Sequence, residues 1–257
     1  MIRRLRDWLP VFAVFAAGIL LWQFAFAPWL GHFLLPTPTA IARSLHAHWS
    51  VLWQAGWFTL QEALGGFAIG SGLGIAVALA LARWRRLSGA LMPYAIAANA
   101  VPIIAFAPIM NDWFGLLNPR SKMAIAAVLC FFPVLVNTVR GLTTVPPAAI
   151  ELMRSYAASE LQIFRRVRVP NALPFIFTGL KVATVLSMIG AIVGEYFGGS
   201  IQALGVQIEN SVTLFDLPLA WAAIVVASAM GIAFYSLIGV VERFTMGWHP
   251  SAHGVRE

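Results

Sequence analysis

Three ionisable side chains, Glu62, Lys181 and Glu195, stand inside long apolar stretches of the sequence. Charges are costly in hydrocarbon, so such groups usually face a bundle interior or a water-filled path and often mark the route of an ion or polar solute. Lys181 and Glu195 have an alternative, because long side chains near the end of a span can extend to the membrane surface. Asn99 and Asn137 are further candidates, with hydrogen bonding between helices as their alternative role. These five residues are the predicted lining of a translocation path.

Catalytic and cofactor chemistry finds no comparable support. All five histidines lie outside the apolar stretches, so a serine within them has no base in reach. Asp7, Asp112 and Asp216 stand at or beyond the ends of these stretches, which argues against an intramembrane aspartyl pair. The glycine-rich run Gly65–Gly74 lacks the G-K-[ST] ending of a phosphate-binding loop. The sequence therefore predicts a protein that is not an enzyme and has no cofactor or metal of its own.

The elements that must position these residues are membrane-spanning helices. Of the 257 residues, 60% are hydrophobic and 11% are charged, against about 45–50% and about 25% in soluble domains. Prolines 93, 102 and 108 predict a kinked or broken helix in the third segment. The predicted fold class is all-α, a polytopic membrane protein with about six transmembrane helices: Trp8–Leu30, Ala55–Ala82, Leu87–Ile109, Met123–Thr138, Phe175–Phe197 and Leu219–Val241.

The placement of the basic residues predicts the orientation. With the N-terminus inside, all but four of the 17 Lys and Arg residues fall on the cytoplasmic side, which is the bias seen in membrane proteins. The exceptions are Arg43, Arg120 and Lys122, which fall outside, and Lys181 in the fifth span. Both termini are therefore predicted to be cytoplasmic, and the net charge of +7 requires no nucleic acid.

Glycines recur every fourth residue in two of the spans. Small residues at this spacing let helix backbones approach closely. Two interpretations stay open, namely packing within one subunit and a seam between two subunits. The two series are Gly66, Gly70 and Gly74 in the second span, and Gly190, Gly194 and Gly198 in the fifth.

A polar stretch, ELMRSYAASELQIFRRVRVPNALP over residues 151–174, interrupts the apolar sequence. Thr144 and the prolines after it predict an N-cap and the start of a short helix that runs to about Ala157. Ser159 to Gln162 has the form of a capping box, so a second short helix is predicted to begin there and to end before Pro170. Two abutting amphipathic helices suit either a membrane-surface anchor or a docking element for a cytoplasmic partner.

The same stretch resembles the EAA loop of ABC-importer permeases, whose pattern is E-A-A-x3-G-x9-I-x-L-P. Here Glu151, Val167, Val169 and Pro170 fall at the Glu, Ile, Leu and Pro positions. The departures are Leu152 and Met153 in place of the two alanines, and Ala157 in place of the glycine.

Other segments extend the resemblance over most of the chain. Leu34–Pro38, Trp113–Gly115, Cys130–Asn137 and Gly179–Lys181 are similar to the nitrate/sulfonate/taurine permease family. Ile189–Glu195 and the closing segment from Glu242 to His249 resemble its branch for thiamine-precursor pyrimidines and riboflavin.

The resemblance implies an ABC transporter type-1 permease fold in a bacterial inner membrane. Residues 1–54 would form an N-terminal span and an extracytoplasmic segment, residues 55–245 the transmembrane domain with its cytoplasmic coupling loop at 144–174, and residues 246–257 a cytoplasmic tail. The implied partners are a dimer of cytoplasmic ATPase subunits, which bind the ATP, a second permease copy and an extracytoplasmic solute-binding protein. The implied ATPase-coupling residues are Glu151, Ser155, Ala157, Ala158, Arg165, Val167 and Pro170.

The substrate favoured by this branch is riboflavin or a thiamine-precursor pyrimidine. Aromatic residues near the predicted path suit a flat ring, and Lys181 is the one lysine within a predicted span, whereas a sulfonate or nitrate would favour cations there. A permease for sulfonate, taurine or nitrate is the alternative. A proton-coupled secondary transporter is a further alternative, although it leaves the amphipathic stretch unexplained.

Overall fold

The computed structural model describes residues 2–31, 34–83, 85–98 and 102–246, and this part of the chain is helical without strands. Short π-helical turns cover Trp22–Phe26 and Phe164–Arg168, and a 3-10 turn covers Ile103–Phe106. The α-helices are α1 (Ile2–Leu21), α2 (Ala27–Leu30), α3 (Pro38–Ala47), α4 (Trp49–Arg83), α5 (Arg85–Ala98), α6 (Ala107–Phe114), α7 (Pro119–Thr143), α8 (Pro147–Ser155), α9 (Glu160–Ile163), α10 (Val169–Tyr196), α11 (Leu204–Thr213) and α12 (Leu217–Thr245).

Among the described residues, five helical segments are long and apolar enough to cross a membrane. They correspond to five of the six predicted spans: Pro10–Leu30, Trp49–Ala82, Pro119–Thr143, Glu160–Tyr196 and Leu217–Thr245. The third predicted span is divided among α5, the 3-10 turn and α6, as the prolines there predict. Pro102 cannot donate a helical hydrogen bond, and Pro108 stands in the first turn of α6, where proline is tolerated.

Helix α7 is the centre of the bundle, and α4 and α10 pack along it. Glycines make both contacts close. A Cβ on Gly70 of α4 would lie 2.2 Å from the carbonyl oxygen of Ala127, and one on Gly190 of α10 would lie 2.9 Å from Cα of Ala126. Packing within one subunit is therefore the confirmed interpretation of these glycines, and they give no evidence for a seam between subunits.

The last glycine of the second series has a different role. Gly198 stands just past the end of α10 with φ of 136°, a conformation that side chains disfavour. A Cβ there would lie 2.2 Å from Cδ1 of Leu116. Gly198 therefore ends the helix and lets the following segment return over the bundle.

The N-terminal helix is peripheral. Most side chains of α1 from residue 10 onward are exposed, with Phe12, Val14 and Phe15 about two-thirds or more exposed. Its C-terminal extension is held by Trp22, which packs on Trp221 of α12 with ring centroids 5.4 Å apart. An exposed face of this composition is suited to lipid.

Candidate functional site

The polar stretch forms a short helix, a tight turn and a second helix. The predicted N-cap at Thr144 is wrong, because Thr144 still closes the preceding span, where its N–H donates to the Arg140 carbonyl at 2.9 Å. Pro146 takes the N-cap position of α8 instead, without a side-chain cap. The connection between α7 and α8 is therefore only a few residues long.

The turn after α8 places Ala157 in the left-handed region, with φ of 54°. Its N–H donates to the Arg154 carbonyl at 2.9 Å. The predicted capping box follows and is confirmed: Ser159 Oγ accepts from the Gln162 N–H at 3.3 Å, and Gln162 Oε1 accepts from the Ser159 N–H at 2.8 Å. Glycine adopts a left-handed backbone more readily than alanine, which accounts for the glycine of the EAA pattern at the position of Ala157.

The second helix does not end before Pro170, so that prediction is wrong. One helical segment runs from Glu160 to Tyr196. Pro170 stands in the first turn of α10, directly after the π-helical turn Phe164–Arg168. A proline is tolerated there, because the π turn shifts the hydrogen-bond register just before the missing N–H. The second half of the loop is therefore the cytoplasmic-facing extension of a span in the predicted orientation.

The predicted coupling residues lie on the surface of this element. Helix α8 has no buried residue, and the apolar side chains of Leu152, Tyr156 and Leu161 are 57%, 76% and 58% exposed. Glu151, Ser155, Ala157 and Arg165 are exposed, and Ala158, Val167 and Pro170 are half-buried. An apolar surface of this kind, mixed with charges, is typical of a site that another protein covers.

Asn171 joins the two ends of the loop, and sequence reasoning missed it. Its Nδ2 donates to the carbonyl oxygens of Gly141 at 2.8 Å and of Thr144 at 3.3 Å. These carbonyls belong to the last turn of α7 and to its C-cap residue, where no helical donors are left for them. The available signal was the position of Asn171 directly after Pro170 of the EAA-like pattern.

At the other end of the bundle, three charged side chains from three spans are enclosed together. Glu62 of α4, Lys122 of α7 and Glu195 of α10 are 2%, 1% and 1% exposed. The two carboxyl groups are close enough to interact directly with each other, and Thr59 of α4 is also close to the Glu195 carboxyl group. Lys122 Nζ donates to the carbonyl oxygen of Leu116 and to Asn111 Oδ1, the latter at 3.2 Å.

The surroundings of this cluster complete its enclosure. Glu195 Oε2 accepts the Gly205 N–H at 2.8 Å, and a Cβ on Gly205 would lie 2.7 Å from Cβ of Glu195. Asn111 Nδ2 donates to the Phe197 carbonyl at 3.3 Å. Glu62 and Glu195 therefore lie inside one subunit, and neither faces an open surface.

The other predicted path residues do not join this cluster. Lys181 pairs with Glu242 of α12, with side chains 25% and 15% exposed. Lys181 precedes Glu195 by 14 positions on the same helix, so the two are roughly 20 Å apart along the axis. Asn137 Nδ2 donates to the Pro133 carbonyl of its own helix at 2.8 Å. Asn99 lies outside the described residues.

Two charged partners were missed because of the predicted span boundaries. Lys122 was counted among the residues outside the membrane, but the structure buries it in the first turn of α7. Glu242 completes the ion pair of Lys181. Each stands one residue beyond a predicted span, at Met123 and Val241 respectively, and a search for opposite charges next to the span ends would have found both.

The comparisons with known proteins agree with this arrangement. Residues 70–246 match the family described as binding-protein-dependent transport system inner membrane component. The riboflavin transport system permease protein of Chloroflexus aurantiacus is 35% identical over 85% of this chain and 82% of its own. The formylaminopyrimidine transport permease protein of Halalkalibacterium halodurans is 35% identical over 84% of this chain and 86% of its own.

Two further matches have lower sequence identity. A protein of Escherichia coli named for aliphatic sulfonate transport is 28% identical over 91% of this chain and 90% of its own. The crystal structure of an amino acid ABC transporter with histidines shares the fold, with a TM-score of 0.62 and 19% identity over 78% of this chain and 96% of that chain.

Long apolar helices around a packed centre, with an exposed helical element between two spans, define a multi-pass membrane transport subunit. The chain belongs to the family of binding-protein-dependent transport system inner membrane components, the permeases of ABC transporters.

Proposed function

We propose that this chain forms the path of a small solute in an ABC importer. We further propose that α8 and the turn at Ala157 contact a separate ATPase and transmit its conformational change to the spans. The observation that carries the proposal is that helix α8 has no buried residue, and that the apolar side chains of Leu152 and of its C-cap residue Tyr156 are largely uncovered within the subunit. A partner that covers this surface would remove apolar area from water. The chain itself has no phosphate-binding motif.

The connections of the element suit the transmission of movement. Helix α9 continues through the π turn into α10, so a displacement at the turn moves a span directly. Asn171 ties the same region to the end of α7. Both spans reach the packed centre of the bundle. A push at α8 is therefore expected to move α7 and α10 together.

The proposed assembly contains two ATPase subunits, two copies of this permease and a solute-binding protein. This follows the organisation that the EAA-like pattern implies. The glycine series do not support the second copy, since five of the six glycines pack on α7 within the subunit and Gly198 packs on Leu116. A homodimer would therefore use other faces of α4, α10 or α12. Its test is the composition of the purified complex, in which a second, different permease would contradict the homodimer.

The proposed substrate is riboflavin or a thiamine-precursor pyrimidine. Two relatives at 35% identity are named for riboflavin and formylaminopyrimidine, whereas the relative named for sulfonates is 28% identical. The lysines agree with a neutral solute: Lys181 is paired with Glu242, and Lys122 is enclosed. Neither offers a free ammonium group to a sulfonate. Trp113 and Tyr196, 72% and 49% exposed, are available for stacking on a flat ring.

The coupling assignment is tested by Glu151→Lys in the complex reconstituted in liposomes with its ATPase and binding protein. Glu151 lines a pocket together with Arg154 and Arg168, so a lysine would bring a third positive charge into it. We expect ATP-driven uptake to fall at least tenfold, with normal membrane insertion. Glu209→Lys on α11 is the matched control. Unchanged substrate-stimulated ATP hydrolysis in Glu151→Lys would contradict the assignment. Uptake that is driven by a proton gradient in the absence of the ATPase would instead favour a secondary transporter.

The substrate class is tested separately, by calorimetric titration of the partner solute-binding protein with riboflavin, a formylaminopyrimidine, taurine and nitrate. We expect micromolar or tighter binding of one of the heterocycles. Binding of taurine or nitrate alone would overturn the substrate while leaving the transport class intact.

A further inference from the structure

The cluster of Glu62, Lys122 and Glu195 has an unbalanced charge if every group is ionised. Two carboxylates and one ammonium leave one net negative charge in a site whose side chains are at most 2% exposed. An uncompensated buried charge is strongly destabilising. The site therefore requires one further positive charge.

Unsatisfied oxygens show where that charge is needed. Among the described residues, Glu62 Oε2 and Glu195 Oε1 are buried without a hydrogen-bond donor. The Thr59 hydroxyl is also within reach of Glu195. Its single hydrogen is engaged, because Thr59 Oγ donates to the Ala55 carbonyl at 3.1 Å, and the same oxygen accepts the Leu204 N–H at 3.0 Å. Lys122 donates to the Asn111 side chain and the Leu116 carbonyl, and among the described residues it forms no direct ion pair with either carboxylate.

The groups that face the carboxyl pair come from every element around it. Helix α7 contributes Lys122, α6 contributes the neutral amide of Asn111 through that lysine, and the start of α11 contributes the Gly205 N–H. The charges that act on the pair are those of its own members and of Lys122. Asp112, the acid of α6, is exposed.

We propose that Glu62 and Glu195 bind one proton between them, so that the pair carries a single negative charge and the cluster with Lys122 is neutral. A hydrogen bond between two carboxyl groups exists only when one of them is protonated. The proton supplies the missing donor and the missing charge at once. It makes the cluster of Glu62, Lys122 and Glu195 a neutral connection between α4, α7 and α10 at one end of the bundle.

A proton fits the site better than a metal ion. Hard cations require several oxygen ligands, and among the described residues no group of three or more His, Cys, Asp or Glu side chains is arranged to hold a metal. A carboxyl pair holding a single proton is a known consequence of like charges in contact.

The first test is infrared spectroscopy of the full-length permease in lipid nanodiscs at neutral pH. We expect a carbonyl band of a protonated carboxylic acid that shifts on exchange into deuterated water. The band is lost in Glu62→Gln and in Glu195→Gln and is retained in the control Asp112→Asn. Absence of the band in the wild-type protein would overturn the proposal, and this measurement needs no variant to fold.

The second test is the order of melting temperatures. Either single Gln variant keeps one carboxylate opposite Lys122 and replaces the protonated partner by an amide of similar shape, so we expect a shift of only a few degrees. Glu62→Gln/Glu195→Gln leaves Lys122 uncompensated, so its melting temperature falls by roughly 10 °C. A double variant as stable as the wild type would overturn the proposal. A melting temperature that depends on sodium or potassium, and loses this dependence in either single variant, would replace the proton by a metal cation. Transport enters neither test.

Discussion

Ala157 is the residue whose backbone conformation and type disagree. At φ of 54°, the left-handed backbone costs an alanine about 1–2 kcal/mol. Glycine avoids this cost but loses about 0.5–1 kcal/mol more in chain entropy on folding than alanine does, so the net gain is small. We expect Ala157→Gly to stabilise the protein by on the order of 0.5 kcal/mol and to leave transport intact. Ala158→Gly is the control, because Ala158 has no positive φ, and it should destabilise. Melting temperatures of the two variants in one detergent decide the matter, and a lower value for Ala157→Gly than for Ala158→Gly would contradict the argument.

Lys181 and Glu242 form the second charged pair of the spans, and their dependence on each other is measurable. Removal of one partner leaves the other half-buried without its counter-charge, which costs about 1–3 kcal/mol. We expect Lys181→Met to lower the melting temperature, and Lys181→Met/Glu242→Gln to recover most of the loss. The interaction energy from this double-mutant cycle is the measurement. Equal losses for the single and double variants would show that the pair contributes packing only.

At the scale of elements, the loop depends on how its ends are held. Asn171 satisfies two carbonyls at the end of α7, and each such bond contributes about 0.5–1.5 kcal/mol. We expect Asn171→Ala to loosen α8 from α7, so that ATP hydrolysis continues while uptake per ATP falls. Asn171→Asp should be more harmful, because it points a carboxylate at two carbonyl oxygens. Thr178→Ala is the control, since that hydroxyl lies on the same helix as Asn171 and donates to the Pro174 carbonyl within it. Uptake per ATP at the wild-type value in Asn171→Ala would remove this role.

The elements also show which features were accessible from sequence. Apolar length, the break in the third segment and the capping box at Ser159 are local signals, and the structure contains all three. The predicted helix end before Pro170 was wrong. A proline normally ends a helix because it lacks an N–H donor, but here the π turn before it shifts the hydrogen-bond register, so the helix continues. The partners of the buried charges could not be assigned, because Lys122 meets Glu62 and Glu195 only through the packing of three spans. Because the predicted span began one residue later, at Met123, Lys122 was not counted among the charges within spans.

At the scale of the whole molecule, the remaining prediction is orientation. Helix α10 has 28 residues and is therefore about 42 Å long, more than the roughly 30 Å of a hydrocarbon core. Ser155 lies before its first residue and Gln202 after its last, and both are exposed. If α10 crosses the membrane, as its length and composition predict, the two positions lie on opposite sides. The excess of Arg residues around α8 predicts that Ser155 lies on the cytoplasmic side.

Cysteine labelling of intact cells tests this orientation with little background. Cys130 is the one native cysteine and is buried, so Cys130→Ala provides a cysteine-free parent. In that parent we expect Gln202→Cys to react with a membrane-impermeant maleimide from outside, and Ser155→Cys to react only after the cells are opened. Labelling of both positions in opened cells shows that each is accessible. Reaction of Ser155→Cys in intact cells would reverse the orientation and place α8 where no ATPase could reach it, so this result would contradict the proposed coupling as well.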